Sequence, residues 1–229
     1  MIDIHCHILP GVDDGSPDID TSLEMAAIAA KDGIRTVIAT PHVVNNGLER
    51  KVIVEKTELL NSELKKNKID LEVLPGGEIP SHLTDSLAAL HRLGSSRFIL
   101  VEFPHSFLPS DSLDLVSNLV SKGYKVIIAH VERNYTIAYD PIKVGDLIQA
   151  GAEIQITAES LTGFQGPDPK RCADYLLRKK WVHFIATDSH SPSFRRPTLA
   201  KAVRVAAKLI GKKEASKLVT ENPARIINS

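Results

Sequence analysis

The stretch of residues 2–15 reads IDIHCHILPGVDDG and decides how the rest of the sequence is interpreted. It begins with a short apolar run typical of a buried strand. His5 and His7 are two residues apart, and side chains with that spacing on a strand point to the same side. The glycine-rich turn that follows can fold a carboxylate of Asp13 or Asp14 back over this strand end. The stretch therefore predicts a strand that ends in metal-binding side chains.

Outward from this stretch, short apolar runs alternate with longer amphipathic segments, and Gly33, Gly123 and Gly151 stand where helices should end. The runs predict seven strands, at residues 1–5, 35–40, 71–74, 98–102, 125–130, 152–157 and 182–187. The amphipathic segments predict helices, for example at 18–32, 49–67, 111–121, 169–179 and 197–209. Near the end, Asn222 and Pro223 predict the N-cap and first turn of a last helix.

Seven βα units in series, with no linker between them, predict an α/β fold. We expect a distorted TIM-like (β/α)7 barrel that forms one domain over residues 1–229, with a doubly wound open sheet as the alternative. In such barrels the active site lies at the carboxyl ends of the strands.

Side chains that bind metals follow six of the seven predicted strands. They are His5 and His7 after the first, His42 after the second, Glu78 at the end of the third, Glu102 at the end of the fourth, His130 at the end of the fifth, and Asp188 and His190 after the seventh. Imidazoles with carboxylates suit Zn, Mn or Fe, and carboxylates can bridge two metals. A hydrogen-bonded polar cluster without metal is the weaker alternative, because so many buried polar groups need a strong organising partner.

Several short motifs in this order resemble a known family. They are residues 2–15, Thr40-Pro41-His42, Gly77-Glu78, Val101-Glu102, His130-Val131-Glu132-Arg133 and Thr187-Asp188-Ser189-His190. The set resembles the PHP (polymerase and histidinol phosphatase) family, and more narrowly the bacterial PHP-type protein tyrosine phosphatases of capsule and exopolysaccharide synthesis. The resemblance covers essentially the whole chain and implies a PHP-type barrel with its metal site at the carboxyl ends of the strands.

The resemblance also implies three divalent metal ions, with Mn as the first choice and Fe or Zn as alternatives. The first metal would be held by His5, His7, Glu78 and Asp188, the second by Glu78, Glu102 and His130, and the third by Asp14, His42 and His190. Members of this type carry two arginines that hold the phosphate. Arg133 fits the first of them, and Arg195 or Arg196 fits the second.

The resemblance implies metal-dependent hydrolysis of a phosphomonoester, and more specifically of phosphotyrosine in a protein. Two metals can activate a hydroxide for in-line attack on phosphorus, and a phenolate leaves readily because the tyrosine pKa is about 10. The expected substrate is a bacterial tyrosine autokinase of polysaccharide synthesis. Two alternatives stay open: a phosphatase for histidinol phosphate or another small molecule, and a metal-binding regulatory module without catalysis.

Charge and hydropathy restrict the partners. Lys plus Arg number 28 and Asp plus Glu number 28, so the formal net charge is zero, which argues against nucleic-acid or membrane-surface binding driven by bulk charge. No apolar run approaches the roughly 20 residues of a membrane helix, and no signal peptide is recognised. We expect a cytoplasmic protein without membrane insertion, and an oligomer is possible.

The two cysteines, Cys6 and Cys172, do not form a disulfide framework. Cys172 and Arg178 match the C-x₅-R spacing of cysteine-dependent tyrosine phosphatases, but the residues between them include no glycine and continue a helical pattern. A catalytic cysteine needs a tight phosphate-binding loop, so we interpret both cysteines as structural. Among the other histidines, His82, His91 and His183 are interpreted as structural, and His105 as a supporting residue near the mouth of the site.

Overall fold

The computed structural model describes residues 1–43 and 48–228, so position 229 lies outside the described part of the chain. Its strands are short. They are β1 (Ile2–Cys6), β2 (Thr36–Ala39), β3 (Glu72–Pro75), β4 (Glu78–Pro80), β5 (Phe98–Glu102), β6 (Lys125–Ile128), β7 (Glu153–Thr157) and β8 (Phe184–Ala186). Every pairing is parallel and follows chain order, with β1 to β3 in one sheet and β4 to β8 in another. The predicted α/β class is confirmed, and the prediction of one domain over residues 1–229 stays a prediction.

The two sheets meet at two places, one just after the carboxyl ends of β1 and β8 and the other between the segment after β2 and the start of β4. A parallel bridge joins Cys6 to Ser189, and the His7 N–H donates to the Ser189 carbonyl at 2.8 Å. A second bridge joins His42 to Glu78, and the Glu78 N–H donates to the carbonyl of Pro41 at 3.0 Å. These two seams complete a ring of parallel strands, which is the arrangement of a distorted barrel.

The third predicted strand was wrong in one respect: Glu78 does not lie at its end. β3 stops at Pro75, which has no N–H for the ladder, and Glu78 begins β4 in the other sheet. Gly76 lies between them, and a Cβ there would lie 2.9 Å from Cγ2 of Ile38 and 3.0 Å from the Ala39 carbonyl. The backbone therefore passes so close to β2 that only glycine fits, and the chain crosses the seam at this point.

Helices surround the strands. They are α1 (Ile19–Asp32), α2 (Arg50–Lys66), α3 (Thr84–Leu87), α4 (Ser112–Ser121), α5 (Tyr135–Tyr139), α6 (Lys143–Gln149), α7 (Ala158–Thr162), α8 (Pro167–Arg178), α9 (Ala200–Ile210), α10 (Lys212–Lys217) and α11 (Glu221–Ile227). The five helices expected from amphipathic patterns are present with ends shifted by up to three residues. Asp18 caps α1 by accepting the Thr21 N–H at 2.8 Å, and Gly33 ends it at φ 94°. No helix within the described residues is long and apolar enough to cross a membrane.

The predicted N-cap of the last helix was wrong. α11 begins at Glu221, so Asn222 lies inside its first turn rather than before it. The Asn222 amide donates instead to the carbonyl of His183 at 2.8 Å. This contact ties α11 to the chain that enters β8, and a tertiary hydrogen bond of this kind outweighs the local capping preference.

Apolar side chains fill both sides of the ring. Along β2, Val37 and Ala39 pack in a large cluster with the helices, while Ile38 belongs to a smaller cluster. The alternation shows that the smaller cluster is the interior of the ring. Its other fully buried strand residues include Ile4, Leu100, Ile127 and Phe184. A packed interior leaves the carboxyl end of the ring as the place for polar chemistry.

Candidate metal centre

All nine predicted metal ligands lie together, most of them at or after the carboxyl ends of strands, with Glu78 at the start of β4. They are His5, His7, Asp14, His42, Glu78, Glu102, His130, Asp188 and His190, and each belongs to at least one group whose donor atoms lie within 4.8 Å of one another. His5, His7 and Glu78 are completely buried, whereas Asp14 is exposed at the rim. The cluster therefore extends from the buried interior of the ring to its open mouth.

A bulge in β1 directs the first two histidines into this space. Three residue steps from Asp3 to Cys6 pair with two steps from Val37 to Ala39, so β1 contains one extra residue. Bulges commonly re-aim side chains next to active sites. Here the Nε2 atoms of His5 and His7 face each other at 3.2 Å, as the spacing of the two histidines predicts.

The innermost donors surround one point. Oδ1 of Asp188 lies 3.3 Å from Nε2 of both His5 and His7. The carboxylate of Glu78 lies 3.3 Å from Nε2 of His5 and 3.5 Å from Nε2 of His7. Donor atoms around a cation with bonds of about 2.1 Å lie about 3.0–3.4 Å apart. This spacing fits a single divalent cation among the four side chains.

Glu78 connects this group to the rest of the cluster. Its Oε1 lies 2.9 Å from Nε2 of His130, and its Oε2 lies 3.0 Å from Nδ1 of His42. Glu102 extends the group, because its Oε1 lies 3.6 Å from Nε2 of His130 and 3.3 Å from Nε2 of His105. His105 lies closer to the cluster than we expected of a supporting residue, because a nitrogen of its ring lies within 4.8 Å of donor atoms of Glu102 and His130.

The outer donors gather around Asp14 at the rim. Its Oδ1 lies 3.6 Å from Nε2 of His42 and 3.5 Å from Nε2 of His190. The ring of His7 packs against that of His190 with centroids 3.9 Å apart, so His7 also lies within this group. The three expected ligand sets therefore lie next to one another, and they overlap because His7 belongs to both the inner and the outer group.

Two buried atoms support a cation in this cluster. Within the described part of the chain, Oε2 of Glu78 and Nε2 of His190 are buried and make no hydrogen bond. A buried polar atom without a partner is costly unless something else satisfies it. A cation bound by both side chains would satisfy them, and the imidazole and carboxylate donors around them are the types that Mn, Fe and Zn accept. The residues present thus fit divalent metals.

Neighbouring charges lower the pKa values of two carboxylates of the cluster, Glu78 and Asp188. Burial by itself would raise the pKa of Glu78, but the charge of His5, the hydrogen bond with His130 and the close approach of His42 hold the pKa well below its usual range. Burial acts in the same way on Asp188, and His5, His7 and other cations likewise hold its pKa well below normal. Anionic oxygens at the centre of the cluster favour a cation there.

The two neighbouring aspartates of the turn have different positions. Oδ2 of Asp13 lies 2.6 Å from Nδ1 of His7 and accepts the His42 N–H at 3.0 Å, while its Oδ1 accepts the Gly15 N–H at 3.0 Å. Asp13 therefore orients the two histidines from behind, and Asp14 faces the outer donors. Such carboxylate–histidine contacts fix the tautomer and direction of a metal ligand.

Gln155 was missed by the sequence analysis, which found no ligand on the sixth predicted strand. It is buried on β7, and its Oε1 lies 3.1 Å from Nδ1 of His5 and accepts the His130 N–H at 3.0 Å. One amide thus orients two of the predicted ligands. The available signal was a single polar amide between two isoleucines of a buried strand.

Asp3 was also missed, and it positions the segment that contains Asp188. Its carboxylate accepts the Thr187 N–H at 3.0 Å and the Thr187 hydroxyl at 2.5 Å. Burial raises the pKa of Asp3 to about 6. The contact holds the end of β8 against β1, where Asp188 itself has a positive φ of 52°.

The three predicted arginines have different positions. Nη1 of Arg133 lies 2.5 Å from Oδ2 of Asp188, and a guanidinium nitrogen of Arg195 contacts the same oxygen. Arg196 is exposed and lines a cavity of about 210 Å³ together with Lys201 and Phe164. Arg133 and Arg195 thus present two guanidinium groups side by side at the metal cluster, and Arg196 does not.

The two cysteines are placed as structural residues. Cys172 is buried on α8, its thiol lies 3.8 Å from the Ile137 carbonyl, and burial raises its pKa to about 12. Arg178 is in the last turn of the same helix, so the segment between them forms no phosphate-binding loop. Cys6 is buried in the outer apolar cluster, where burial raises its pKa well above the usual range.

A ring of parallel strands with clustered imidazoles, carboxylates and two arginines at its carboxyl end defines a metal-dependent α/β hydrolase. The chain belongs to the capsular polysaccharide synthesis CpsB/CapC family, whose model matches residues 1–228. This confirms the family expected from the sequence motifs.

Similar proteins bear out the same class. Tyrosine-protein phosphatase YwqE of Bacillus subtilis (strain 168) is 40% identical over 236 residues, covering 100% of this chain and 92% of the relative. The putative tyrosine-protein phosphatase CapC of Staphylococcus aureus is 34% identical, covering 88% of this chain and 81% of the relative. A solved structure from work on YwqE of Bacillus subtilis and CpsB of Streptococcus pneumoniae, described as unique metal-dependent tyrosine phosphatases, matches with a TM-score of 0.94. It is 39% identical and covers 100% of this chain and 94% of that one.

A more distant likeness concerns the fold alone. Histidinol phosphate phosphatase from Lactococcus lactis matches with a TM-score of 0.58 at 14% identity, covering 93% of each chain. The fold is therefore shared with a protein of low sequence identity.

Proposed function

We propose that this chain is a metal-dependent phosphomonoester hydrolase that acts on phosphotyrosine in proteins. The observation that supports it most directly is the position of Arg133 and Arg195, whose guanidinium groups meet at Asp188, one of the innermost donors of the cluster. Paired guanidinium groups beside a metal site suit the oxygens of a phosphoryl group. The names of the relatives supply the substrate class, since they are tyrosine-protein phosphatases.

The proposed cofactor is a set of three divalent cations. His5, His7, Glu78 and Asp188 would hold the innermost, and Glu78 would share a second with Glu102 and His130. Asp14, His42 and His190 would hold the third. Mn is the first choice, because mixed imidazole and carboxylate donors suit it, and Fe or Zn would bind the same donors. When bound, the cations would supply Lewis-acid activation of the phosphoryl group and of the attacking water.

The chain itself would bind and orient the substrate. Arg133 and Arg195 would donate hydrogen bonds to phosphoryl oxygens and offset their negative charge as the bond to the leaving group breaks. Asp188 keeps both guanidinium groups directed toward the cluster. A tyrosine phenolate has a conjugate-acid pKa of about 10, so its departure demands less proton donation than that of an alkyl alcohol.

The proposed physiological substrate is a bacterial tyrosine autokinase of polysaccharide synthesis, in keeping with the capsular family. A cytoplasmic location follows from such a substrate, and an oligomer stays a prediction. Treatment of the phosphorylated kinase with this protein should remove its phosphotyrosine signal on an immunoblot. An unchanged signal, under conditions where a phosphotyrosyl peptide is hydrolysed, would exclude that partner.

The first experiment measures phosphate release by metal-stripped protein before and after addition of Mn²⁺, with a phosphotyrosyl peptide and histidinol phosphate as substrates. We expect release only with Mn²⁺ and a preference for the peptide. Arg133→Ala should lose this activity, while Tyr139→Ala, at a side chain that is 91% exposed on α5, should keep it. Preference for histidinol phosphate would point to a small-molecule phosphatase, and metal binding without release would point to a regulatory module.

A further inference from the structure

Two exposed phenylalanine rings stand together close to the arginines. Phe164 and Phe194 are 59% and 60% exposed, and their ring centroids lie 5.4 Å apart with planes inclined by 63°. This edge-to-face arrangement is a favourable aromatic contact. It still leaves most of each ring in water, although large apolar side chains gain free energy when they are covered. The pair therefore offers a ready apolar surface to a ligand.

A tight turn fixes Phe194 directly beside Arg195. The Phe194 N–H donates to Oγ of Ser191 at 2.8 Å, and the His190 N–H donates to the Arg195 carbonyl at 3.1 Å. Arg195 has a φ of 53°, in the left-handed region. The same turn that delivers the guanidinium of Arg195 to Asp188 thus also fixes the backbone of Phe194, whose ring contacts Phe164.

The end of α7 fixes Phe164 opposite Phe194. Gly163 ends this helix at φ 84°, and the Phe164 N–H donates to the Glu159 carbonyl at 3.0 Å. α7 directly follows β7, which contains Gln155 behind the metal cluster. Both rings are therefore attached by short connections to the elements that build the site, so they keep a defined position relative to the arginines.

We propose that Phe164 and Phe194 bind the phenyl ring of the substrate's phosphotyrosine and determine a preference for aryl over alkyl phosphates. The inference rests on the proposed function, which it deepens. In an aryl phosphate a single ester oxygen separates phosphorus from the ring. We infer that the ring of an aryl phosphate held by Arg133 and Arg195 lies against Phe194, the residue that precedes Arg195. An alkyl phosphate gains no aromatic contact there.

Binding of non-hydrolysable phosphonates tests the rings without catalysis. Calorimetry with the metal-loaded protein should show tighter binding of phenylphosphonate than of methylphosphonate. Phe164→Ala and Phe194→Ala should each weaken phenylphosphonate about three- to tenfold, the range for one aromatic contact. Binding of methylphosphonate should stay unchanged, and Phe194→Tyr should retain the preference because it keeps the ring. Equal binding of the two phosphonates by the unsubstituted protein would overturn the inference.

Kinetics separate this inference from the proposed function. In the Phe164→Ala/Phe194→Ala double variant, KM for a phosphotyrosyl peptide should rise about tenfold or more, with kcat/KM for an alkyl phosphate unchanged. Tyr139→Ala is the matched control, because it removes an exposed aromatic ring from α5, and it should leave both substrates unaffected. If the unsubstituted protein hydrolyses the peptide and the double variant keeps its selectivity, the ring proposal is wrong. If the unsubstituted protein releases no phosphate from the peptide, the proposed function is wrong.

Discussion

Nδ1 of His7 and Oδ2 of Asp13 lie 2.6 Å apart, so a side chain outside the donor cluster decides the direction of a ring at its centre. The same carboxylate oxygen accepts the backbone N–H of His42. Asp13 thus organises two donors, one through its side chain and one through its backbone. Its removal should loosen the cluster without removing any donor.

We expect Asp13→Asn to weaken Mn²⁺ binding about 10- to 100-fold, the usual effect of losing a carboxylate behind a histidine ligand. Titration of metal-stripped protein against a competing chelator measures this affinity. Asp20→Asn, at an exposed position in the first turn of α1, is the control and should bind Mn²⁺ normally. Unchanged affinity in Asp13→Asn would show that the contact does not orient the ring.

The two adjacent arginines should differ sharply. Because Arg195 contacts Asp188 whereas Arg196 is exposed, Arg195→Ala should reduce kcat/KM for a phosphotyrosyl peptide about 10- to 100-fold, as expected for a lost charge-assisted hydrogen bond. Arg196→Ala should change it by about twofold or less, as for an exposed charge. Steady-state kinetics of the two variants decide the matter. A larger loss in Arg196→Ala would mean that this residue holds the phosphate.

The thiol of Cys172 should be dispensable. Burial keeps it protonated by raising its pKa to about 12, so it cannot serve as a thiolate nucleophile near neutral pH. Cys172→Ala should keep the full kcat with a phosphotyrosyl peptide, and a thiol alkylator should not inhibit the enzyme, whereas a chelator should. Inactivation of the native protein by alkylation, with protection in Cys172→Ala, would contradict this assignment.

His91 should make the fold sensitive to acid. Burial, and then the charge of Arg50, lower its pKa to about 4, below the usual value of about 6.5. Above pH 6.5 His91 is neutral in both the folded and the unfolded chain, and its contribution to the free energy of unfolding is fully present. As the pH falls from 6.5 toward 4, the unfolded chain takes up a proton that the folded chain excludes, so the free energy of unfolding decreases.

The test follows urea unfolding at pH 7 and pH 5 in chelator. His91→Gln has no titrating group at this position. Its free energy of unfolding should therefore fall less between pH 7 and pH 5 than that of the unsubstituted protein, by on the order of 1 kcal/mol. His82→Gln, at an exposed position, is the matched control and should follow the unsubstituted protein. Identical pH dependence in all three proteins would mean that His91 is protonated equally in both states.

Much of the site could be predicted because parallel strands present their carboxyl ends at one edge. Short apolar runs located those ends, and the polar residues after them then converged, as for His42 and Asp188. The proximity of His7 and His5 agrees with their two-residue spacing, although a bulge in β1 that was not predicted also directs them. These inferences use only local periodicity, which the sequence displays directly.

The parts that were not predicted depend on contacts between distant segments. Glu78 begins a strand of its own because the backbone at Gly76 lies against β2, and nothing local distinguishes that break from a longer strand. Gln155 resembles any polar residue in a strand until its contacts with His5 and His130 are known. The different positions of Asp13 and Asp14 follow from the path of the turn over the ring.

The seams between the two sheets have a consequence for how the site can fail. His42 and Glu78 form one seam, and the other lies between the segments that contain His7 and Asp188. Parting either seam would separate donors that must act together, so a chain with an opened ring would lose its metal-binding capacity at once. The measured affinity for metal therefore reports whether the ring of strands is closed. A substitution far from any donor would abolish metal binding if it separated the two sheets.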